Sequence, residues 1–422
     1  MIETIQLLPG ITLRCCPDTR FRQGCLSLQF VAPMGRETAA VNALLPAVLL
    51  RGTENHPDLR SITLRLDELY GASVGTLVRR AGDYQTTGFY CSFIEDRYAM
   101  AGDRVLEPMV EFLGELLRQP LTENGAFCRD YVEGEKKNLI STIESELNDK
   151  RVYAMNRLMS AMCASDSYGI PRLGEKEQVA AITAGFAWEH YQALLSHAPV
   201  ELFYVGSAPA RQVAALLTEL FRPIRRDVMP LPEQTPFRDA GGGQTVTERM
   251  DVTQAKLCMG FTTPITNRSE QFAAMQVANT VYGAGMTSKL FQNVRERLSL
   301  CYSIGSSYYG AKGIVAVSAG IDPDKVELTR REILEQLDAC RRGDITREEL
   351  TAAKEALRST LRASADSPGA IEGYYATAAL SGLNRTPEQY AREVEAVTLE
   401  QAAAAAATVT LHTTYILKGV EG

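Results

Sequence analysis

Residues 282–303 read YGAGMTSKLFQNVRERLSLCYS: a glycine-containing turn, an amphipathic helical pattern and the start of a strand. Glycines in the sequence Gly283-Ala284-Gly285 mark the turn. Arg295 and Tyr302 are seven positions apart across the predicted junction between helix and strand. The stretch has the character of part of a functional site, although the rest of the chain shows no catalytic motif.

The elements around this stretch repeat the order found in the first half of the chain. Each half has a strand, a proline turn, an apolar helix, an amphipathic helix, two strands and a further helix. Pro33 and Pro264 are separated by 231 positions, and Tyr70 and Tyr302 by 232. We therefore predict an α+β fold with two homologous domains from an internal duplication, each a mostly antiparallel sheet packed with helices.

The boundary between the halves is predicted from a change in composition. Residues 226–243 contain three prolines and three consecutive glycines, which support neither helix nor strand. We predict a linker over 226–243, an N-terminal domain over 1–225 and a C-terminal domain over 244–422. Three threonines in the C-terminal part precede a glutamate or glutamine three positions later, the spacing of a helix capping box. These threonines are Thr346, Thr386 and Thr398.

Composition and charge exclude several classes of protein. The chain has 422 residues, of which 45% are hydrophobic and 23% charged, and its formal net charge of −7 argues against nucleic acid or an anionic membrane as a partner. The N-terminus lacks a signal-peptide pattern, and no apolar run reaches the roughly 18 residues of a membrane span. The nine cysteines are scattered, which is typical of reduced structural thiols. We predict a cytoplasmic protein.

Common catalytic motifs are missing. The four histidines (His56, His190, His197 and His412) include no pair three or four residues apart, so no two of them are placed to bind one zinc from the same helix face, and we interpret them as structural or surface residues. The glycines at 241–243 and 283–285 lack the context of a phosphate-binding loop, and there is no G-x-S-x-G nucleophile motif. Cys301 has no neighbouring histidine in the sequence and is interpreted as a structural thiol.

The architecture together with residues 282–303 resembles the insulinase/pitrilysin family, which includes the mitochondrial processing peptidases and their bacterial relatives. The segment is similar to the family's G-x-G-[MS]-S-x-L-F-x-x-[VL]-R-E-x-x-x-L-x-Y-S stretch, and the resemblance covers essentially the whole chain. Active members carry an inverted zinc motif, H-x-x-E-H, on a helix before a K/R-G-T turn. Counting back from the turn at 51–53, these three positions fall on Ala43, Pro46 and Ala47.

The resemblance also places the remaining zinc ligand of active members. That glutamate belongs to a later helix, where Glu135 matches the first glutamate of the motif and Thr142 takes the position of the ligand. A shift in register would bring Glu144 or Glu146 near this position, but one carboxylate makes no tight zinc site. The resemblance therefore implies a degenerate zinc site, no metal in this chain and no cofactor of its own.

In active relatives the C-terminal half supplies an arginine and a tyrosine that face the zinc across a chamber. The resemblance implies that Arg295 and Tyr302 are substrate-binding residues that grip the peptide backbone and the developing oxyanion. Some members divide the work between two chains, and this chain resembles the subunit without zinc. Residues 148–177 also resemble a bacterial non-catalytic branch that is encoded beside a zinc-bearing paralogue and carries a label for elongation factor P modification.

Three hypotheses remain open from the sequence. The first is a non-catalytic subunit that pairs with a zinc-bearing paralogue, closes the chamber and presents Arg295 and Tyr302 to a peptide. The second is a binding or assembly protein, as a homodimer or complex core, with no peptidase role. The third is a stand-alone enzyme of different chemistry, for which Glu135, Cys301 and the pair Arg79-Arg80 are the candidate residues.

Overall fold

The computed structural model describes residues 2–239 and 242–420, and these form two compact units that do not follow the order of the chain. The first unit takes the described residues of Met1–Glu144, Ile170–Glu233 and Ala365–Thr377. The second takes those of Ser145–Gly169, Gln234–Ser364 and Ala378–Gly422. Each unit thus includes a segment from the other half of the sequence. The compact units divide the chain by contacts within the fold, whereas the predicted domains 1–225 and 244–422 divide it by homology. The units therefore do not test the predicted domains, which stay a prediction.

The described residues contain both strands and helices throughout. The strands are β1 Glu3–Leu8, β2 Ile11–Pro17, β3 Gln23–Pro33, β4 Ser73–Ala81, β5 Tyr84–Ile94, β6 Thr122–Glu123, β7 Ala126–Phe127, β8 Val200–Gly206, β9 Gln244–Met250, β10 Ala255–Thr262, β11 Cys301–Tyr309, β12 Ile314–Ile321 and β13 Thr410–Gly419. The α-helices are α1 Ala39–Leu49, α2 Leu59–Glu68, α3 Leu106–Arg118, α4 Arg129–Asn148, α5 Lys150–Met162, α6 Lys176–Ala181, α7 Ala184–His197, α8 Ala210–Phe221, α9 Phe272–Tyr282, α10 Val326–Arg342, α11 Arg347–Ala363, α12 Pro368–Ser381, α13 Pro387–Ala396 and α14 Leu399–Ala407. A π-helix spans Leu290–Arg297.

The first unit is built on a six-stranded sheet in the order β1-β2-β8-β3-β5-β4. Among the strands that the structure describes in this sheet, only the β2–β8 pair is parallel. Strand β3 alternates between the two faces, as a strand must, with Leu26, Leu28 and Phe30 in the hydrophobic core and Ser27 and Gln29 on the opposite face. Helices such as α1 and α3 pack their apolar sides against the core face.

The opposite face of this sheet holds a buried polar cluster. Glu372, on the part of α12 that belongs to the first unit, is 1% exposed and accepts two 2.9 Å hydrogen bonds from the guanidinium of Arg79. The hydroxyl of Ser27 donates to the same carboxylate at 2.7 Å, and the amide of Gln29 at 3.2 Å. Hydrogen bonds from this many donors to one buried carboxylate hold its helix in place.

The second unit is built on a five-stranded sheet in the order β11-β12-β10-β13-β9, in which β13 and β9 are parallel. Helix α5 covers one face of this sheet, and its residues Ala154 and Leu158 are fully buried against strand residues there. Those strand residues are Cys258, Ala316, Tyr415 and Leu417. The predicted α+β class with mostly antiparallel sheets is confirmed.

The two sheets share one strand order. Reading β4-β5-β3-β8-β2 against β11-β12-β10-β13-β9 matches strand for strand, and the single parallel pair falls at the same place in both. This is the arrangement that a duplication would produce, and the duplication itself stays a prediction. Tyr70 does not share the setting of Tyr302, since it lies in a left-handed turn after α2 whereas Tyr302 lies in β11.

Local signals in the sequence are matched by local structure. Thr346, Thr386 and Thr398 each form the expected capping box at the start of a helix. Within the predicted linker, the described residues 226–239 and 242–243 contain no helix or strand, while Ala240 and Gly241 lie outside the described residues. The linker itself stays a prediction. Among the helices that the structure describes, none is both long enough and apolar enough to cross a membrane.

Candidate functional site

Two glycines shape the turn that leads into the π-helix. A Cβ on Gly283 would lie 2.6 Å from Oγ of Ser306 and 2.7 Å from Cδ1 of Leu290, closer than non-bonded atoms approach. Gly285 has a φ of +123°, which only glycine adopts without strain. The turn therefore requires glycine at both positions, because one packs against β11 and the other reverses the backbone.

Arg295 lies near the end of the π-helix Leu290–Arg297, where the sequence predicts an ordinary amphipathic helix. A local hydrophobic pattern does not distinguish the two helix types, because Leu290 and Val294 are buried one turn apart in either case. Segments of π-helix are rare and occur frequently at functional sites. The guanidinium carbon of Arg295 lies 4.5 Å from the ring centroid of Phe291, and Nη1 lies 3.4 Å from Oε1 of Glu296.

Tyr302 occupies an irregular position in β11. The register of β11 against β12 shifts between Cys301 and Ser303, so that Tyr302 is an extra residue without a partner on the neighbouring strand. A bulge of this kind redirects a side chain, and that of Tyr302 is 56% exposed. Its hydroxyl donates a 2.6 Å hydrogen bond to Asp322.

The charges around Asp322 act on the tyrosine and on the aspartate in opposite directions. The hydrogen bond to the Asp322 carboxylate and the negative charge of that group raise the pKa of Tyr302 above its usual range. Hydrogen bonds from Tyr302 and Lys325 lower the pKa of Asp322, with Nζ of Lys325 at 3.0 Å from Oδ2. Tyr302 therefore keeps its proton at neutral pH and remains a hydrogen-bond donor.

Arg295 and Tyr302 line the same pocket of about 330 Å³. The other lining residues are Glu296, Ser299, Leu300, Cys301, Asp322 and Lys325. The side chain of Arg295 is 38% exposed, so a positively charged donor and a neutral donor face one solvent-accessible space. Such a pair is suited to binding carbonyl oxygen and to stabilising negative charge on it.

Cys301 borders the same pocket but has the properties of a structural thiol. It is buried, and burial raises its pKa to about 11. Only a small fraction of the thiol is therefore ionised at neutral pH, and the thiolate is the nucleophilic form. This favours the structural interpretation from the sequence.

The positions aligned with the zinc motif offer no donor set for a metal ion. Ala43 and Pro46 are buried in α1, and Ala47 is half-buried one residue later. Thr142 lies on α4 with its side chain exposed, and its hydroxyl donates to the carbonyl of Asn138 at 2.9 Å. Alanine and proline side chains have no atom that binds zinc, so these residues do not fit the ion.

Nowhere within residues 2–239 and 242–420 does the structure bring together three or more His, Cys, Asp or Glu side chains that could hold a metal. The expectation of a chain without zinc remains a prediction, which metal analysis tests.

A polar network of Asn42, Gln85 and His190 lies beside these positions and was not predicted from the sequence. Nδ2 of the buried Asn42 donates to Gln85 at 3.0 Å, and its Oδ1 accepts a 2.7 Å hydrogen bond from Nε2 of His190. Gln85 in turn donates to the carbonyls of Ala39 and Arg172. The members come from α1, β5 and α7, so only the folded chain brings them together.

Other candidates from the sequence have structural partners. Nε of Arg51, in the turn that follows α1, lies 2.7 Å from the carboxylate of Glu135. Arg79 is bound to Glu372, and the guanidinium of Arg80 donates to the carbonyl of Ile170.

The two glutamates on the later helix also have partners. Glu144 forms a 3.6 Å ion pair with Lys176, and Glu146 accepts a hydrogen bond from Asn156. The remaining three histidines each have a partner within the chain, which is Glu115 for His56, the carbonyl of Asp227 for His197 and Thr413 for His412.

The geometry defines a class: an α+β chain that has two hydrogen-bond donors, Arg295 and Tyr302, in one pocket and no metal-binding donor set at the positions aligned with the zinc motif. The family model described as "Peptidase M16 inactive domain" matches residues 181–357 of this chain. A Bacillus subtilis protein named "Probable inactive metalloprotease YmfF" is 31% identical over 413 residues, covering 98% of this chain and 97% of that protein.

Two solved structures share the fold over the whole chain. A conserved protein from Enterococcus faecalis superposes with a TM-score of 0.92 at 28% identity, covering 100% of this chain and 99% of the other. A peptidase M16 inactive domain from Pseudomonas fluorescens superposes with a TM-score of 0.82 at 17% identity, with the same coverage. The chain belongs to the peptidase M16 family, the insulinase/pitrilysin family, among its inactive homologues. The resemblance stated from residues 282–303 is confirmed.

Proposed function

We propose that this chain is the non-catalytic subunit of a two-chain peptidase. A zinc-bearing relative in the cytoplasm would supply the metal and the base, and this chain would close the peptide chamber and contribute Arg295 and Tyr302. The observation that carries the proposal is the placing of these two donors in one pocket by a π-helix and a β-bulge.

The unusual backbone supports a binding role over a purely structural one. A π-helix, a bulge and the left-handed φ of +49° at Ser299 occur within residues 290–303. Irregular conformations of this kind cost free energy and persist where the surrounding structure imposes them, often at functional sites. Their combined effect here is to present Arg295 and Tyr302 to solvent.

The two donors have complementary roles in this proposal. The guanidinium of Arg295 has several N–H donors in a fixed planar arrangement and would hold a backbone carbonyl or a developing oxyanion. The phenol of Tyr302 has one proton, so a substrate carbonyl would have to replace Asp322 as its acceptor. Removing one such donor from an enzyme typically lowers kcat by about 100-fold to 1,000-fold.

The test is cleavage of a quenched fluorescent peptide library by the purified chain, alone and mixed with the zinc-bearing paralogue from the same organism. We expect activity only in the mixture and loss of that activity with a chelator. Arg295→Ala and Tyr302→Phe should each lower turnover by about 100-fold while the two chains still co-elute on a sizing column.

Arg297→Ala is the matched control, because Arg297 lies on the same π-helix, is exposed and does not line the pocket. Equal turnover for Arg295→Ala and wild type would contradict the proposed role of the pair.

A second function, an assembly protein or homodimer without peptidase activity, is favoured by one observation. Tyr302 already donates to Asp322, and Arg295 already stacks on Phe291, so neither side chain needs a substrate to satisfy it. A stable complex whose assembly and properties are unchanged by substitution of Arg295 and of Tyr302 would support this function. Mixing the chain with its paralogue and finding no cleavage would point in the same direction.

A further inference from the structure

The second unit has another, larger pocket of about 810 Å³ that the proposed function has not used. It lies where β10 begins, beside the start of α5. Its lining residues are Asn148, Asp149, Lys150, Arg151, Asp251, Val252, Thr253, Gln254, Lys256 and Ser303.

Two hydrogen-bond donors converge in this pocket over a glycine. Gly320 on β12 is paired with Lys256 on β10 and with Ser303 on β11, so the three residues form one row across the sheet. A Cβ on Gly320 would lie 3.0 Å from Oγ of Ser303 and 3.3 Å from Nζ of Lys256. The ammonium of Lys256 and the hydroxyl of Ser303 therefore approach the same point. This point is free because glycine has no side chain to occupy it.

The strands hold this arrangement firmly. Strand β10 is hydrogen-bonded on both sides, to β12 and to β13, so the backbone that carries Lys256 has no free edge. Ser303 directly follows the bulge residue Tyr302 in β11. The two donors therefore lie close to Tyr302, which binds the peptide in the proposed function.

Two carboxylates among the described residues line the pocket, Asp149 and Asp251, and the structure shows no ion pair between Lys256 and either of them. Asp149 is already bound, since its carboxylate caps α5 and pairs with Arg151 at 3.0 Å, and hydrogen bonds from Arg151 lower the pKa of Asp149 to about 2. Nζ of Lys256 donates to Oε1 of Gln254 at 3.2 Å, and among the described residues it has no ion-pair partner. Partial burial, followed by the charge of Arg151, lowers the pKa of Lys256.

We propose that this pocket binds a carboxylate of the peptide, with the ammonium of Lys256 as its ion-pair partner and the hydroxyl of Ser303 as a second donor. The inference rests on the proposed function, in that a peptide must reach this chain. A carboxylate has two acceptor oxygens and accepts from both groups at once. Because Ser303 follows Tyr302, the carboxylate belongs to a residue within a few positions of the carbonyl bound by Tyr302.

The carboxylate has two sources in a peptide, the C-terminus and the side chain of Asp or Glu. Four pools of random decapeptides separate them: pools with or without Asp and Glu, each ending in a free acid or an amide, and each labelled at the N-terminus with a boron-dipyrromethene dye, which has no carboxylate of its own. Binding is measured by fluorescence polarisation to the purified chain, alone and with the zinc-bearing paralogue under chelator to prevent cleavage.

We expect pools that contain the recognised carboxylate to bind about tenfold more tightly than pools that lack it, as for a hydrogen-bonded charge. Lys256→Met should remove this preference, and added salt should weaken it. Lys418→Met is the matched control, since Lys418 lies on the neighbouring strand β13 and does not line the pocket. A preference that follows the free acid identifies the C-terminus, and one that follows Asp and Glu identifies a side chain.

Gly320→Ala provides a second variant that leaves every charge in place. Its Cβ would occupy the point on which Lys256 and Ser303 converge, so the preference should fall although the chain keeps its net charge. Equal binding of all four pools by wild type, or a preference retained by both variants, overturns this inference and leaves the proposed function standing. Binding of no pool, with or without the paralogue, overturns both.

Discussion

Helix α1 and the π-helix region lie in different units and have opposite character. In α1, the positions aligned with a zinc motif carry alanine and proline, and the nearby Asn42 is enclosed in a buried hydrogen-bond network. In the π-helix region, Arg295 and Tyr302 face solvent from irregular backbone. The first region satisfies its polar groups internally, and the second leaves donors where a ligand can reach them. This contrast, more than either region alone, supports a structural role for α1 and the proposed binding role for the π-helix region.

The comparison predicts different responses to the loss of one polar group. Asn42→Ala should lower the free energy of unfolding by about 3 kcal/mol, because the buried Gln85 and the half-buried His190 would each lose a partner. Tyr302→Phe should change it by less than about 0.5 kcal/mol, since the hydroxyl is exposed. Urea denaturation of the two variants and the wild type measures both. Equal losses would remove the basis for treating the two regions differently.

The buried network should also give the protein a response to acid. Burial lowers the pKa of His190 below its usual value of 6.5, so the folded state resists protonation more than the unfolded chain does. The stabilisation is therefore complete above about pH 6.5 and falls as the pH decreases from there to the folded pKa. One proton allows a slope of at most about 1.4 kcal/mol per pH unit.

Unfolding of wild type and of His190→Gln over this pH range measures the effect. The slope should be shallower in the variant, whereas His197→Gln, which removes a histidine bonded to a backbone carbonyl in an exposed setting, should retain the wild-type slope. If all three proteins give one curve, the protonation of His190 is not linked to folding.

The smallest expected effect is that of metal removal. Because the positions aligned with the zinc motif carry no zinc-binding side chain, a chelator should leave the melting temperature of this chain unchanged. The zinc-bearing paralogue, treated in the same way, is the control and should lose about one zinc per chain. Stoichiometric zinc in the purified chain, or a fall in its melting temperature on chelation, would show a metal site that the comparison of the two regions does not include.

Much of the fold could be predicted because the relevant signals are local. The capping boxes at Thr346, Thr386 and Thr398 each join residues three apart, so a short stretch of sequence contains the whole interaction. The turn at Gly283 and Gly285 is marked in the same way. The alternation of core and opposite-face residues along β3 is also contained within one short stretch of the chain.

Parts of the site were not predictable, because they depend on partners far apart in the sequence. The sequence makes Arg79 a candidate catalytic residue, whereas in the structure Arg79 is bound to Glu372, which lies 293 positions away. Nothing near Lys256 in the sequence indicates that Ser303 approaches it, since their meeting depends on the pairing of both strands with Gly320. Strand register is a property of the assembled sheet.

The sequence by itself determined the order of elements, the helix starts, the absence of zinc-binding side chains at the aligned positions and the seven-residue spacing of Arg295 and Tyr302. Tertiary structure alone decided the π-helix, the bulge at Tyr302, the network around Asn42 and the convergence of Lys256 with Ser303. The physical reason is range: hydrogen bonds between neighbours in the chain form wherever their residues occur, whereas burial and strand pairing require the whole fold to bring distant groups together.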